Sequence, residues 1–307
     1  MNLSVQLAPR HDKGLRLANP VMTASGTFGY GTEYGHLFDI QRLGAIVCKG
    51  TTLKPRGGNP QPRLVETPSG MLNSIGLQNI GVKALIEEKA PIWAGWRVPV
   101  IVNIAGETVE EYAELANKLD SIPGISALEV NISCPNISAG GAEFGVHPES
   151  AARVTAAVRA KTSLPVLVKL TPNTGEIARV AVAVAEAGAD AICLINTVRG
   201  MAIDIYTRRA LLGNRTGGLS GPATKPIALA MVYEVAGTVE IPVVGCGGIV
   251  SGSDAIEFIM AGASAVQVGS ASFINPRAPL DVLEGIEQFM VREGVNDISE
   301  LVGAARR

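Results

Sequence analysis

The hexapeptide at positions 131–136, Asn-Ile-Ser-Cys-Pro-Asn, combines one thiol with two carboxamides. It follows the apolar run 125–130, which indicates a buried strand, so these polar residues fall where a strand ends and a loop begins. The thiol of Cys134 can remove or donate a proton, and the amides of Asn131 and Asn136 each offer two donors and one acceptor oxygen. This set suits a flat ligand edged with carbonyls and ring N–H groups. An inert buried cysteine beside a turn explains the segment alone equally well.

Composition and charge narrow the class of protein. The 307 residues are 47% hydrophobic and 18% charged, with a net charge of −2, which is typical of a well-packed globular protein. No basic block indicates a nucleic-acid partner, and no apolar run approaches the ~20 residues that cross a bilayer. The four cysteines are widely spaced and form no metal-binding motif. We therefore expect a cytoplasmic α/β protein without a metal site.

The elements that must position these residues repeat along the chain. Apolar runs at 20–24, 45–48, 98–104, 125–130, 165–170, 191–195, 241–245 and 265–268 alternate with helical patterns at 33–38, 79–89, 108–119, 148–161, 175–187, 222–236, 253–261 and 279–292. Eight such units predict an α/β fold, a TIM (β/α)8 barrel, as a single domain over 1–307. Two excursions, 51–76 and 199–221, are too long for ordinary βα loops, and we expect them to be inserted loops at the carboxyl rim, with a small hairpin at 64–74. A doubly wound open sheet is the alternative, but no GxGxxG follows the first strand.

Ligands of such barrels bind at the carboxyl ends of the strands. The residues at those ends are Ser25, Lys49, Asn103, Asn131, Cys134, Lys169, Asn196, Thr197, Gly247, Gly248, Gly269 and Ser270. The glycines after strands seven and eight let backbone N–H groups approach an anion closely, which indicates a phosphate site, although glycine suits tight turns as well. A phosphate, a pocket that reads a planar ring and a cysteine together suggest a flavin mononucleotide (FMN) enzyme. Lys169 would then stabilise negative charge on the flavin, and Cys134 would transfer the proton that accompanies hydride transfer to flavin N5.

Nine motifs distributed over the chain carry a family resemblance. They are NPVMTASGTFGYG at 19–31, KGTTLKPRGGNPQPR at 49–63, NSIGLQN at 73–79, NISCPN at 131–136, VKLTPN at 168–173, INT at 195–197, GGLSGPATKPIAL at 217–229, GCGGI at 245–249 and VQVGS at 266–270. Together they resemble the class 1 dihydroorotate dehydrogenases over essentially the whole length.

The resemblance implies oxidation of (S)-dihydroorotate to orotate in pyrimidine synthesis, with one FMN per chain. It implies that Cys134 removes the C5 proton while hydride leaves C6. It assigns the substrate to Lys49, Asn73, Ser74, Ile75, Gly76, Leu77, Asn131, Asn136, Asn196 and Thr197. It assigns FMN to Ser25, Lys49, Gly50, Asn103, Asn131, Lys169, Ile195, Gly221, Gly247, Gly248, Gly269 and Ser270. The segment 138–147 would be a lid over the substrate.

Two segments, KGTT at 49–52 and AGGAEFG at 139–145, resemble the class 1B, NAD-linked enzymes. That subclass implies a homodimer of this chain flanked by two partner subunits that carry FAD and a [2Fe-2S] cluster. The alternatives are a class 1A, fumarate-dependent homodimer, an FMN barrel acting on tRNA uridine, and a phosphate-binding barrel without redox chemistry. The second of these needs a basic face, which the sequence does not offer.

Overall fold

Eight parallel strands form the centre of the molecule in the computed structural model, which describes residues 1–133, 135–136 and 142–306. They are β1 (Val21–Thr23), β2 (Ile46–Thr51), β3 (Val100–Ile104), β4 (Ala127–Asn131), β5 (Val166–Lys169), β6 (Ala191–Leu194), β7 (Val243–Cys246) and β8 (Ala265–Val268). Their order is β1-β8-β7-β6-β5-β4-β3-β2, and a bridge between Met22 and Ala45 joins the last strand to the first. The sheet therefore closes, and the prediction of a TIM barrel is confirmed.

Side chains alternate between the two faces of each strand, and the strands are buried on both faces. The outward-facing residues, such as Leu128 and Val130 of β4, pack against the surrounding helices. The inward-facing residues fill the barrel, and Ala127, Leu167 and Ala191 belong to that second cluster. An N-terminal pair of strands, Val5–Gln6 and Arg16–Leu17, adds buried leucines to the same cluster. The alternation thus decides which polar side chains enter the barrel.

The connecting helices follow the predicted pattern with one exception. They are Gly81–Ala84, the π-helical Leu85–Lys89, Ala90–Trp93, Val109–Leu119, Pro148–Arg159, Ile177–Glu186, Lys225–Val235, Gly252–Ala261, Ala271–Ile274 and Ala278–Glu293, with short 3₁₀ helices at Ile40–Arg42, Phe144–Val146, Pro222–Thr224, Ile298–Glu300 and Ala304–Arg306. The predicted helix at 33–38 is wrong, because that segment forms turns. There the Glu33 carboxylate accepts from the backbone N–H of Tyr30 at 3.0 Å, and Gly29 and Gly31 adopt positive φ. Within the described residues, no helix is long and apolar enough to span a membrane.

The two excursions meet in one antiparallel sheet. Strand Gly70–Asn73 pairs with Leu64–Thr67, as predicted for the hairpin, and also with Thr216–Ser220 of the second excursion, which pairs in turn with Val198–Met201. Smaller pairs join Ile203–Asp204 to Arg209–Ala210 and Pro135–Asn136 to Ala142–Glu143. The four strands of this sheet lie in the connections that follow the carboxyl ends of β2 and β6, so strand Gly70–Asn73 lies at the same rim as Asn196 and Thr197.

Candidate active site

Two asparagines from different strands meet at the carboxyl rim. The amide nitrogen Nδ2 of Asn196, which follows β6, donates to Oδ1 of Asn131, the last residue of β4, at 3.2 Å. The backbone carbonyl of Asn131 accepts from the hydroxyl of Tyr112 at 2.6 Å, which holds the end of β4 in place. Within the described residues, Nδ2 of Asn131 donates to no protein group. A donor therefore remains at this point for a carbonyl-bearing ligand.

Asn73, in the first excursion, lies at the same rim because its strand pairs with strand Thr216–Ser220 of the second excursion. Nδ2 of Asn73 donates to the backbone carbonyl of Gly218 at 3.3 Å. A Cβ on Gly218 would lie 1.8 Å from Oγ1 of Thr197, so only glycine allows this strand to approach Thr197. Nδ2 of Asn173 donates to the carbonyl of Thr197 at 3.3 Å and supports it from the other side. Asn73 thus lies beside Thr197 through Gly218, and the N–H of Thr197 donates to Oδ1 of Asn196 at 2.8 Å.

The loop after Asn73 has an unusual backbone. Gly76 and Leu77 both adopt positive φ, 74° and 54°, and a leucine rarely takes this conformation. The side chain of Asn79 holds it by donating to the carbonyl of Leu77 at 2.6 Å. Ser74 is buried, and among the described residues its hydroxyl has no hydrogen-bond partner. An unpaired buried hydroxyl in a strained loop marks this segment as a place where a polar ligand would be accommodated.

The end of β2 lies beside this loop. A Cβ on Gly50 would meet Oδ1 of Asn103 at 3.1 Å and Cδ2 of Leu77 at 3.4 Å, so these three residues are neighbours. The backbone N–H of Lys49 donates to the carbonyl of Gly29 at 2.8 Å. Within the described residues, the Lys49 ammonium has no partner, and an anionic ligand would supply one.

Lys169 occupies the barrel interior just below the rim. Its ammonium donates to Oε1 of Gln267 at 2.8 Å and lies 3.7 Å from Sγ of Cys246. Burial alone lowers the pKa of Lys169, but the neighbouring sulfur atoms and Glu129 outweigh it, and the pKa is raised above its ordinary value. Lys169 is therefore a cation at neutral pH despite its burial.

The glycines that follow β7 and β8 lie at the ends of adjacent strands, and Gly221 of the second excursion lies beside those after β7. A Cβ on Gly247 would meet Cγ1 of Ile195 at 3.4 Å, and one on Gly248 would meet the carbonyl of Gly221 at 2.9 Å. Both Gly247 and Gly248 have positive φ. Helices Pro222–Thr224, Gly252–Ala261 and Ala271–Ile274 begin just after these turns, and helix N-termini favour anions.

The first and last strands complete this side of the rim. The N–H of Ala24 donates to the carbonyl of Val268 at 2.9 Å, and Gly269 approaches the Cβ of Ala24. Ser25 and Ser270 therefore lie next to each other along the rim, with open space above Gly26. The structure thus places every predicted cofactor residue that it describes at one end of the barrel.

Cys134 lies outside the described residues, and so do residues 138–141 of the predicted lid. Asn136 belongs to the strand Pro135–Asn136, but its side chain is outside the described part. The roles predicted for Cys134, for the Asn136 side chain and for the lid remain predictions.

Sequence reasoning missed two interior residues, Glu129 and Gln267. Both are fully buried, and the Glu129 carboxylate accepts from Nδ2 of Asn103 at 2.7 Å and from Nε2 of Gln267 at 2.5 Å. The runs 125–130 and 265–268 predict apolar strands, although each contains one of these polar residues. A charged or amide side chain within a strand that is buried on both faces is the signal that could find them.

Comparison with known proteins gives a consistent result. Residues 10–290 match the family model described as dihydroorotate dehydrogenase. The chain is 53% identical over 305 residues to the dihydroorotate dehydrogenase B (NAD(+)) catalytic subunit of Geotalea daltonii. The alignment covers 99% of this chain and 98% of that protein. It is 57% identical over 290 residues to the protein of the same name from Trichlorobacter lovleyi, covering 94% and 95% of the two chains. The corresponding protein of Desulforamulus reducens is 55% identical, with 99% of each chain covered.

Proposed function

The chain belongs to the dihydroorotate dehydrogenase family, and we propose on this premise that it is the catalytic subunit of an NAD⁺-linked dihydroorotate dehydrogenase. It oxidises dihydroorotate to orotate in pyrimidine biosynthesis. The observation that carries this proposal is identity of 53–57% over nearly the whole chain to catalytic subunits of that name. In the proposal the whole chain, 1–307, acts as one catalytic domain, and its place is the cytoplasm, where thiols such as the free Cys48, Cys193 and Cys246 persist.

FMN is the flavin that we propose for this barrel, and the residues present fit it. The glycine turns at Gly221, Gly247, Gly248 and Gly269 expose backbone and helix N-termini where a phosphate would bind. Lys169 supplies a buried cation for an electron-rich isoalloxazine, and Asn103 and Gly50 offer an amide and a close backbone approach. Ser25, Lys49, Asn131, Ile195 and Ser270 complete the proposed FMN site. When bound, FMN supplies the hydride acceptor.

The substrate would lie against the amide group of the rim. Hydrogen bonds join Asn131 to Asn196 and Asn196 to Thr197, and Asn73 is held beside them by Gly218. The loop Ser74, Ile75, Gly76 and Leu77 adds the Ser74 hydroxyl, which is unpaired within the described residues. Dihydroorotate is a six-membered ring whose ureide edge presents two carbonyls and ring N–H groups, and it carries a carboxylate on C6. The amides match its ring edge, and Lys49 matches its carboxylate. Asn136 is a further proposed contact.

Cys134 is the proposed base that removes the proton from C5 as hydride leaves C6. Its chain neighbours support this role, since Asn131 is at the rim and the N–H of Ser133 donates to Oδ1 of Asn131 at 3.2 Å. Ser133, the residue before Cys134 in the sequence, is thereby tied to the amide group. The segment 138–147 is the proposed lid that excludes water from the reacting carbon atoms.

A partner subunit completes the proposed enzyme, because the relatives are named catalytic subunits. We propose a homodimer of this chain with two partner chains that carry FAD and a [2Fe-2S] cluster. Exposed apolar side chains offer surface for such contacts, among them Ile205 and Tyr206 on one hairpin and Phe273 and Ile274 beside the glycine turns.

The test is dihydroorotate oxidation by the purified chain alone, with its flavin spectrum recorded. Bleaching of the flavin by dihydroorotate, with turnover on an artificial dye but not on NAD⁺ or fumarate, is expected. Efficient fumarate reduction would support the self-sufficient alternative that the names of the relatives disfavour. A bound flavin that dihydroorotate does not bleach would contradict the substrate assignment, and a colourless protein would favour a barrel without redox chemistry.

A further inference from the structure

A buried hydrogen-bonded chain crosses the barrel interior beneath the proposed flavin site. The ammonium of Lys169 donates to Oε1 of Gln267 at 2.8 Å, and Nε2 of Gln267 donates to one carboxylate oxygen of Glu129 at 2.5 Å. Nδ2 of Asn103 donates to the other carboxylate oxygen at 2.7 Å. Four strands, β3, β4, β5 and β8, each contribute one member.

The directions of these hydrogen bonds define the charges. Both oxygens of Glu129 accept from amide N–H groups, which is the pattern of an ionised carboxylate. The Gln267 amide has its oxygen toward the ammonium and its nitrogen toward the carboxylate, and the reverse orientation would pair donor with donor and acceptor with acceptor. The chain therefore joins a buried cation to a buried anion through one polarised amide.

No other described group near Lys169 can balance its charge. The titratable groups that face it are Glu129 from β4, Cys193 from β6 and Cys246 from β7. Burial raises the pKa of the Cys246 thiol, and burial together with the negative charge of Glu129 raises that of Cys193. Near pH 7 both are therefore neutral thiols, which attract the ammonium only as polar sulfur groups and do not balance its charge. A buried ammonium without an anion loses its proton readily. Glu129 is left as the compensating charge.

We propose that Glu129 is the counter-ion that keeps Lys169 charged at the flavin face, acting through Gln267. This inference rests on the proposed function for the position of the flavin. Glu129 is then a positioning residue, since it sets the charge of Lys169 from inside the barrel. The ammonium stabilises the reduced, anionic flavin, and loss of its proton makes the flavin harder to reduce.

The test is the reduction potential of the flavin in Glu129→Gln, measured against the wild type at the same pH. Without its anion Lys169 has a lower pKa, so it loses its proton as the pH rises. Near pH 9 we expect a roughly tenfold smaller equilibrium constant for flavin reduction, which is about 30 mV for a two-electron couple. Near pH 6 the difference should be smaller. A potential equal to or above that of the wild type near pH 9 would overturn the proposal.

A charge-preserving exchange provides the rescue. In Glu129→Gln with Gln267→Glu, the new carboxylate accepts from Lys169 directly, the new amide donates to it, and Asn103 donates to that amide's oxygen. Every donor, acceptor and charge is retained, so the wild-type potential should return. The proposal is also supported if Glu129→Gln alone fails to fold or to keep its flavin while the exchanged variant does both and has the wild-type potential. If neither the single nor the exchanged variant folds and keeps its flavin, the proposal is overturned.

Asp190→Asn is the matched control. Asp190 pairs with Arg159 at 3.0 Å at the amino end of β6, opposite the site, so its loss should lower the melting temperature but leave the potential unchanged. An equal shift of potential in this variant would overturn the proposal. A wild-type protein without flavin would contradict the proposed function instead. In a protein without flavin, melting temperatures test the pairing of Glu129 with Lys169. Glu129→Gln alone should have a lower melting temperature than the wild type, and the exchanged variant should restore it.

Discussion

The side-chain amide of Asn196 lies 3.2 Å from the amide oxygen of Asn131, across the carboxyl ends of β6 and β4. The contact orients both amides, since Oδ1 of Asn196 also accepts from the N–H of Thr197 at 2.8 Å. Each amide therefore presents a defined donor to a ligand at the rim, although the two strands are not neighbours in the barrel.

Replacement of Asn196 should weaken the binding of orotate. Asn196→Ala removes one ligand donor and frees the Asn131 amide to rotate, so we expect about tenfold weaker binding, near 1.4 kcal/mol. Titration of the flavin absorbance with orotate measures this directly. Asn296→Ala, at an exposed position whose side chain makes no hydrogen bond within the described residues, should bind orotate as the wild type does. Equal affinity in the two variants would remove Asn196 from the substrate site.

Replacement of Cys134 should slow the chemical step and leave the flavin bound. In Cys134→Ser a hydroxyl replaces a thiol, and because it is a far weaker base, the rate of flavin reduction near neutral pH should fall by about 10² to 10⁴. Stopped-flow bleaching by dihydroorotate measures it.

Cys48→Ser is the control for that experiment. Burial raises the pKa of the Cys48 thiol to about 12, so it is no base near neutral pH, and this variant should be reduced at the wild-type rate. A wild-type rate in Cys134→Ser would contradict the assignment of the base.

Much of the fold followed from the sequence because strands buried on both faces are short apolar runs, and eight of them alternate with helical patterns. The failure at 33–38 has a local cause. Three glycines, at 29, 31 and 35, and the capping of the Tyr30 N–H by Glu33 favour turns over a helix there.

The site was predictable only in part, for a different reason. Lys49, Asn131, Lys169 and Asn196 fall at strand ends, where the barrel topology alone brings residues together. Glu129 and Gln267 lie within strands and meet across the barrel, 138 positions apart in the sequence. Which interior side chains face one another depends on strand register and on barrel closure, and single-sequence periodicity contains neither.

Addition of a methyl group at the proposed phosphate turn should weaken flavin binding. Gly248 has a φ of 75°, and a Cβ there would meet the Lys225 backbone nitrogen at 2.8 Å and the Gly221 carbonyl at 2.9 Å. We expect Gly248→Ala to bind FMN at least about tenfold more weakly, because both strain and overlap distort the turn. Flavin-fluorescence titration of the apoprotein measures the affinity. Gly57→Ala, where a Cβ would meet no atom within 4 Å, should bind FMN normally.

The turn beside that site depends on the ionisation of Asp254. Its Oδ1 accepts from the Lys225 ammonium at 2.6 Å, and its Oδ2 accepts from the backbone N–H groups of Val250 and Ser251. Burial alone would raise the pKa of Asp254, but the Lys225 ammonium and these N–H groups outweigh it and lower the pKa below its ordinary value. Because the pKa of Asp254 is lower in the folded than in the unfolded state, the carboxylate stabilises the fold fully at pH values above the unfolded-state pKa. This stabilisation is lost as the pH falls through the folded-state pKa.

Asp254→Asn should therefore lower the free energy of unfolding near neutral pH by roughly 2 kcal/mol. The difference from the wild type should shrink as the pH falls below the unfolded pKa of an aspartate, about 3.9. Urea unfolding at a series of pH values measures it. Glu257→Gln removes the exposed partner of the same ammonium and should cost less than about 1 kcal/mol, because solvent screens that pair. A loss that stays constant across the acid range would show that Asp254 stabilises the turn by its shape and neutral hydrogen bonds, without a contribution from its charge.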